Sequence, residues 1–176
     1  IIGRVIMAQD GFNPQGWSTG LNAEAYMSHF TRWARDYPEV EWWELWNEQD
    51  PPGASGHVGL ARLTVECMQI AESEGYKLAL ASYSSGVPEN DDWQAIWDQT
   101  AFFQQARAGG HILSLHAYCR TSNESATQAH LLRPKWLYEN ILIPNNCVVP
   151  FVFTELSVDE SGANVGISDW ATDALM

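Results

Sequence analysis

Strand-like and helix-like segments alternate along this chain, and that alternation limits the folds it can adopt. The apolar, β-branched runs that resemble strands cover residues 4–8, 41–47, 77–83, 112–118 and 148–157. Segments with helical spacing follow them at about residues 23–36, 58–73, 91–108, 126–142 and from 168 onward. In such βαβ units the strands are parallel and the crossovers right-handed, so all strand ends of one kind share one edge of the sheet. The sequence therefore predicts an α/β fold with about five parallel βα units, and a doubly wound sheet and a (β/α)8 barrel both fit.

Length and charge indicate one globular domain and argue against two classes of partner. The 176 residues, of which 45% are hydrophobic and 18% charged, suit a single domain over residues 1–176. The formal net charge of −13 makes a nucleic acid or an anionic membrane surface an unfavourable partner, because both attract a basic face. No run approaches the roughly 20 apolar residues that a membrane-spanning helix needs.

Cysteine, glycine and serine patterns count against several kinds of site. Cys67, Cys119 and Cys147 form an odd set without a Cys-x-x-Cys pair, which argues against a disulfide scaffold and a structural zinc site. No Gly-x-Gly-x-x-Gly turn follows a predicted strand, so a dinucleotide site is not indicated. A doubly wound hydrolase with a serine nucleophile is also disfavoured, because the loop at residues 84–86 lacks a leading glycine.

Two of the strand-like runs lead to a glutamate at their carboxyl edge. Residues 42–48 read Trp-Trp-Glu-Leu-Trp-Asn-Glu and residues 151–155 read Phe-Val-Phe-Thr-Glu, so Glu48 and Glu155 occupy matched positions. The carboxyl ends of parallel strands are where catalytic residues of α/β folds lie. Either glutamate alone could simply mark the point where a buried strand meets solvent. Two carboxylates from separate strands, with Asn47 before Glu48, favour a site able to cleave a glycosidic bond.

These segments resemble the clan A glycoside hydrolases, the retaining (β/α)8-barrel glycosidases. That clan carries an Asn-Glu pair at the end of barrel strand 4 and a lone glutamate at the end of strand 7. Residues 43–48 are similar to the strand 4 signature, although Gln49 stands where a proline often follows, and residues 153–156 are similar to the strand 7 signature. Two further strand–helix units lie between them, and residues 116–118 have the His-x-Tyr order that relatives often place beside the nucleophile.

The resemblance implies a partial TIM (β/α)8 barrel, with the chain covering strands 3 to 7. Residues 1–176 would then form a single catalytic domain that is incomplete at both ends, since a full barrel needs about 250 residues. Strands 1, 2 and 8, which often supply an arginine and a tryptophan to the sugar site, have no candidates. Exposed sheet edges invite pairing, so we expect either self-association or barrel segments missing from this chain.

The resemblance also implies a role for each site residue. Glu48 is expected to be the general acid and base, with a pKa raised by partial burial and by Glu155. Glu155 would be the nucleophile, with Tyr118 or His116 donating a hydrogen bond to it. Asn47 would hold the sugar 2-hydroxyl. A structural role for the histidine and tyrosine is the alternative, because side chains two apart on a strand share a face.

The nine tryptophans could stack on sugar rings or pack in the core, and those on the predicted helices suit the core. Trp46 lies next to the motif and could make the acid's pocket apolar, and Trp17, on the loop after the first strand, could stack on a sugar ring. The resemblance therefore implies a retaining glycoside hydrolase that cleaves β-glycosidic bonds in an oligo- or polysaccharide by double displacement and uses no metal and no organic cofactor. A secreted or extracellular setting is favoured. The alternative is a non-catalytic, barrel-derived protein that binds carbohydrate or builds an assembly.

Overall fold

A computed structural model describes residues 2–4, 22–119, 130 and 132–158. Its strands are β1 (Ile2–Arg4), β2 (Trp42–Glu44), β3 (Lys77–Leu80), β4 (Ile112–Cys119) and β5 (Phe151–Val158). Its helices are α1 (Ala23–Ala34), α2 (Gly53–Glu74), α3 (Asn90–Gln99), α4 (Phe102–Ala108) and α5 (Arg133–Leu137), and α5 continues into a π-helical turn at Tyr138–Leu142.

The five strands of this region form one parallel sheet in the order β1-β2-β3-β4-β5. The sheet is curled into a half-barrel. A doubly wound sheet reverses its strand order at a switch point, whereas the order here follows the chain without reversal and is consistent with a partial barrel. The predicted α/β class with parallel strands is therefore confirmed.

Helix α1 covers the outer side of β1 and β2. Asn22 caps it by accepting a hydrogen bond from the backbone of Ala25. Its apolar residues fall at helical spacing, and Phe30 is fully buried against Trp43 of β2, with the two rings edge to face at 5.9 Å. Gly3 of β1 leaves room for this indole, because a Cβ there would lie 2.8 Å from the Trp43 ring. Trp43 thus points to the helix layer, and the next residue, Glu44, points to the opposite face.

The helices that follow differ from their predicted bounds in two places. Helix α2 begins at Gly53, five positions earlier than the sequence indicated, and ends at Glu74, where Gly75 caps it with a left-handed φ of 84°. The single helix predicted over residues 91–108 is two helices. Thr100 separates them in an extended conformation, because its hydroxyl bonds to the carbonyl of Ile96 and to the N–H of Phe102.

The backbone turns sharply where strands β2 and β3 end. The predicted strand at residues 41–47 keeps regular pairing only as far as Glu44, although the backbone N–H of Leu45 still donates to Ala79 of β3 and that of Glu48 to Ser82 just beyond β3. Glu48 and Ala81 have φ values of 49° and 64°. Non-glycine residues in this left-handed region are uncommon, and they cluster at functional sites.

Two further expectations concern cysteines and membranes. Cys67 and Cys147 are buried and free, in agreement with the sequence argument against a disulfide scaffold. Within the described ranges, the structure has no helix with the length and apolarity required to cross a bilayer.

Candidate active site

The structure brings Glu48 and Glu155 together at the carboxyl edge of the sheet. One oxygen of each carboxylate and one ring nitrogen of His116 all lie within 4.8 Å of one another. The two glutamate side chains are 32% and 37% exposed, so a ligand can reach both, whereas the His116 side chain beneath them is fully buried. This proximity follows from the parallel sheet, which delivers both strand ends to one edge.

Glu48 is held by the strand β4 pair. The hydroxyl of Tyr118 donates to its Oε1 at 2.6 Å, and Nδ1 of His116 lies 3.1 Å from the same oxygen. Burial alone would raise the pKa of Glu48, but the hydrogen bonds from Tyr118 and His116, with electrostatic contributions from His116 and Arg4, together hold the pKa below its usual value. The expectation of a raised pKa is therefore wrong for this arrangement, because the partners of Glu48 stabilise its charged form.

Glu155 has a different set of partners. Its Oε1 accepts a hydrogen bond from Nη1 of Arg4 at 2.9 Å, and its Oε2 lies 3.7 Å from Nδ1 of His116. Tyr118 donates to Glu48 instead, so of the two donors predicted for Glu155 only His116 is close to it. Each carboxylate thus has its own main donor, and the histidine lies between them.

The proton on His116 can be assigned from its neighbours. Nη2 of Arg4 lies 3.4 Å from Nε2 of the imidazole. A guanidinium has no acceptor atom, so Nε2 has to accept this hydrogen bond and the ring proton has to reside on Nδ1. We therefore assign the Nδ1–H tautomer, which directs its N–H toward the gap between Glu48 and Glu155.

Two charged residues of the site were missed by sequence reasoning. Arg4 lies on β1 and contacts Glu155, and Glu44 lies on β2, is only 3% exposed, and pairs with Arg4. A charged residue in the middle of an apolar strand, as in Trp43-Glu44-Leu45, was the one signal available for Glu44. Nothing local marked Arg4, since its partners are on strands far away in the sequence.

Trp46 and Asn47, two of the predicted sugar-binding residues, lie in different environments. The structure does not bring Trp46 to the two glutamates: its indole is buried in the helix layer, donates to Thr64 at 3.0 Å and packs against Tyr26 in a tilted arrangement, with ring centroids 4.3 Å apart. The chain leaves strand geometry after Glu44, so strict alternation no longer places Trp46 on the Glu44 face. Asn47 is exposed beside Glu48 and stays available to a ligand.

Trp17 lies outside the described residues, and its role stays a prediction.

Trp17 also falls within residues 16–20, whose order, Gly-x-Ser-x-Gly, is that of a serine nucleophile elbow. In α/β hydrolases such an elbow follows directly on a strand, whereas the strand predicted before it ends at residue 8.

Comparison with protein-family models, with curated proteins and with solved structures found no match to this chain. The function therefore has to be argued from the chemistry of the site itself.

The cluster of Glu48, His116 and Glu155 has the donor types of a metal site. The hydrogen bonds around this cluster, however, do not favour a bound cation. Tyr118 already donates to Glu48, and the guanidinium of Arg4 lies against both Glu155 and His116. A divalent cation would have to displace that fixed positive charge, so a pair of carboxylates acting by themselves fits the arrangement better.

Proposed function

We propose that this protein is a retaining β-glycosidase of the clan A type, with Glu48 and Glu155 as its two catalytic carboxyl groups. The observation that carries the proposal is their separation. Retaining enzymes have carboxyl groups about 5–5.5 Å apart, whereas inverting enzymes need roughly 6.5–9.5 Å to admit a water. Oxygens of Glu48 and Glu155 within 4.8 Å of each other suit the retaining class.

Hydrolysis would proceed in two displacements. In the first, Glu155 attacks the anomeric carbon, the bond to the leaving oxygen breaks, and Glu48 gives its proton to that oxygen. In the second, Glu48 takes a proton from water, the water oxygen attacks the anomeric carbon, and the ester to Glu155 breaks. Arg4 would keep Glu155 aligned throughout, and Asn47 would bind the sugar 2-hydroxyl.

Glu48 has to take up a proton from solvent as the substrate binds. In the free protein Tyr118 and His116 lower the pKa of Glu48. A sugar bound over the exposed third of this side chain would remove water from it, and desolvation raises the pKa of a carboxyl group. The leaving oxygen would also compete with the tyrosine for Glu48. We propose that substrate binding converts Glu48 from a carboxylate into an acid.

The sequence supports the same assignment from another direction. The Asn47-Glu48 pair, the His116-x-Tyr118 pair and Glu155 occur in the order of the clan A motifs, and they lie just past β2, on β4 and on β5 of the parallel sheet. The substrate we propose is a β-linked oligo- or polysaccharide.

Glu155→Gln and Glu48→Gln separate the two roles. On nitrophenyl β-glycosides, whose leaving group needs no proton, Glu48→Gln should retain the first displacement and lose mainly the second. Glu155→Gln should lose turnover of every substrate by at least about 10⁴-fold while still binding sugar, because the nucleophile is gone. EDTA should leave the wild-type rate unchanged.

The control is Glu66→Gln, which makes the same change on the exposed face of α2 and should keep the wild-type rate. Equal losses on activated and unactivated substrates for both site variants would show that the roles are misassigned. Sugar binding without turnover by the wild-type protein would favour the non-catalytic alternative.

A further inference from the structure

The guanidinium of Arg4 contacts three residues on three different strands. Its Nε donates to Oε2 of Glu44 on β2, its Nη1 to Glu155 on β5, and its Nη2 to His116 on β4. Because the guanidinium is planar and rigid, fixing the direction of one N–H fixes the other two. The contact to Glu44 therefore determines where the remaining two nitrogens point.

Glu44 is built into the sheet as a fixed anchor. Its carboxylate is 3% exposed, and Oε1 accepts hydrogen bonds from Ser82 and Ser114. Ser114 in turn lies 2.8 Å from the hydroxyl of Thr154, the residue before Glu155. Burial would raise the pKa of Glu44, but the hydrogen bonds from Arg4, Ser114 and Thr154 outweigh it and lower the pKa. Burying a charged carboxylate costs free energy even when both of its oxygens accept hydrogen bonds. The burial of Glu44 therefore points to a role beyond stability.

Contacts also indicate how strongly Glu44 and Arg4 are coupled. The pKa of Arg4 is raised, and the hydrogen bond to Glu44 is the largest cause, ahead of the bond to Glu155. The Arg4 side chain is 28% exposed and Glu155 is 37% exposed, whereas the Glu44 side chain is 2% exposed. Glu44 is therefore the most buried of these three side chains.

We propose that Glu44 is a positioning residue that aims Arg4 at Glu155 and His116 and so aligns the catalytic pair from beneath. The proposal rests on the proposed function for its catalytic consequence. Its structural consequence is independent: Arg4 directed by Glu44 keeps Nε2 of His116 as an acceptor, which holds the imidazole in the Nδ1–H tautomer.

Histidine ring nitrogen spectroscopy tests this structural consequence. In ¹⁵N NMR spectra of the whole protein, His116 should show a protonated Nδ1 and an unprotonated Nε2. His111 is an internal reference of the opposite kind, because its Nδ1 accepts the backbone N–H of Leu78 at 2.9 Å and its proton is therefore on Nε2.

Glu44→Leu removes both acceptor oxygens at similar volume and leaves Ser114 and Thr154 to bond to each other. It should move His116 toward the Nε2–H tautomer while the His111 signals stay unchanged. Glu44→Gln, which keeps the side-chain shape and one acceptor, should cause a smaller shift and serves where the leucine variant fails to fold. Glu66→Leu is the exposed control and should change neither histidine.

The kinetic readout separates the two proposals. A displacement of about 1 Å at a catalytic group costs roughly 10²-fold in rate, so Glu44→Leu should lower kcat by about that factor with KM changed less than about threefold. If the wild-type protein turns over no glycoside, the proposed function fails while the tautomer shift still supports positioning by Glu44. Unchanged His116 signals in folded Glu44 variants would overturn the positioning role, whatever the activity.

Discussion

Tyr118 and Arg4 divide the two candidate catalytic glutamates between different partners. The phenol of Tyr118 donates to Glu48, and the guanidinium of Arg4 donates to Glu155. Two similar carboxyl groups therefore have different surroundings, and this is the condition for giving them different chemical roles.

Tyr118→Phe tests how the tyrosine acts on Glu48. The hydroxyl stabilises the charged carboxylate and is the first of the contacts that lower the pKa of Glu48, so its removal should raise that pKa. Carboxyl ¹³C NMR titration, with the Glu48 signal assigned from Glu48→Gln, measures the change. Tyr37→Phe, at an exposed tyrosine, should leave the Glu48 midpoint where it is. A midpoint that is the same in Tyr118→Phe as in the wild type would show that the hydrogen bond has no such effect.

The sequence predicted those site residues whose position depends on strand geometry alone. Glu48, four residues past the end of β2, and Glu155, within β5, both lie toward the carboxyl edge of the sheet, and His116 and Tyr118 share a face because they are two residues apart. Arg4 could not be predicted, since a charged residue at one strand carries no information about which distant residues it will meet.

At the scale of elements, His111 joins three parts of the fold at the amino edge of the sheet. Its Nδ1 accepts the N–H of Leu78 on β3, and its Nε2 lies 3.1 Å from Glu72 of α2, which also accepts from Gln105 of α4. Burial lowers the pKa of His111 below 6.5, outweighing the carboxylate of Glu72, and Lys77 also lowers it. Protonating Nδ1 would remove the acceptor for Leu78 and leave a buried N–H without a partner, which costs about 1–3 kcal/mol.

A pH dependence of stability follows from this lowered pKa. The unfolded chain binds a proton at His111 more readily than the folded protein, so the contribution is fully present above 6.5 and is lost as pH falls below it. We expect the free energy of unfolding in urea to fall between about pH 7.5 and 5.5.

His111→Asn offers a matched comparison, because the amide oxygen can accept the Leu78 N–H without titrating. This variant should be less stable at the higher pH but should lose less stability on acidification. Some loss will remain, since burial also lowers the pKa of His57. An identical loss in the variant and the wild type would exclude His111 as the source.

Sequence patterns predicted that most of the helices and strands exist, but they did not predict where an element is interrupted. Periodicity does not register the break at Thr100, because the break arises from one side chain bonding to nearby backbone. Pro134, by contrast, lies in the first turn of α5. Proline is tolerated there because the backbone N–H that it lacks would have no partner within the helix.

In the molecule as a whole, the curvature of the parallel sheet brings the residues of the candidate site together. Five strands in chain order bring Arg4 and Glu155, which are 151 positions apart in sequence, into contact between the outermost described strands, β1 and β5. Curvature is required for that contact, because in a flat sheet the first and fifth strands would be about 19 Å apart at the usual strand spacing. The alternation of elements predicted the parallel sheet but not its curvature. The expected self-association stays a prediction.

The central claim is that Glu155 attacks a β-glycoside and Glu48 assists, and covalent trapping tests it most directly. The protein would be incubated with 2,4-dinitrophenyl 2-deoxy-2-fluoro-β-D-glycosides of several sugars, whose good leaving group permits the first displacement while the fluorine slows the second. Intact mass and peptide mapping then locate any adduct. The account predicts one fluoroglycosyl group on Glu155, and none on the Glu155→Gln variant. An adduct on Glu48 would reverse the roles, and a wild-type protein that neither forms an adduct nor hydrolyses any β-glycoside would contradict the account.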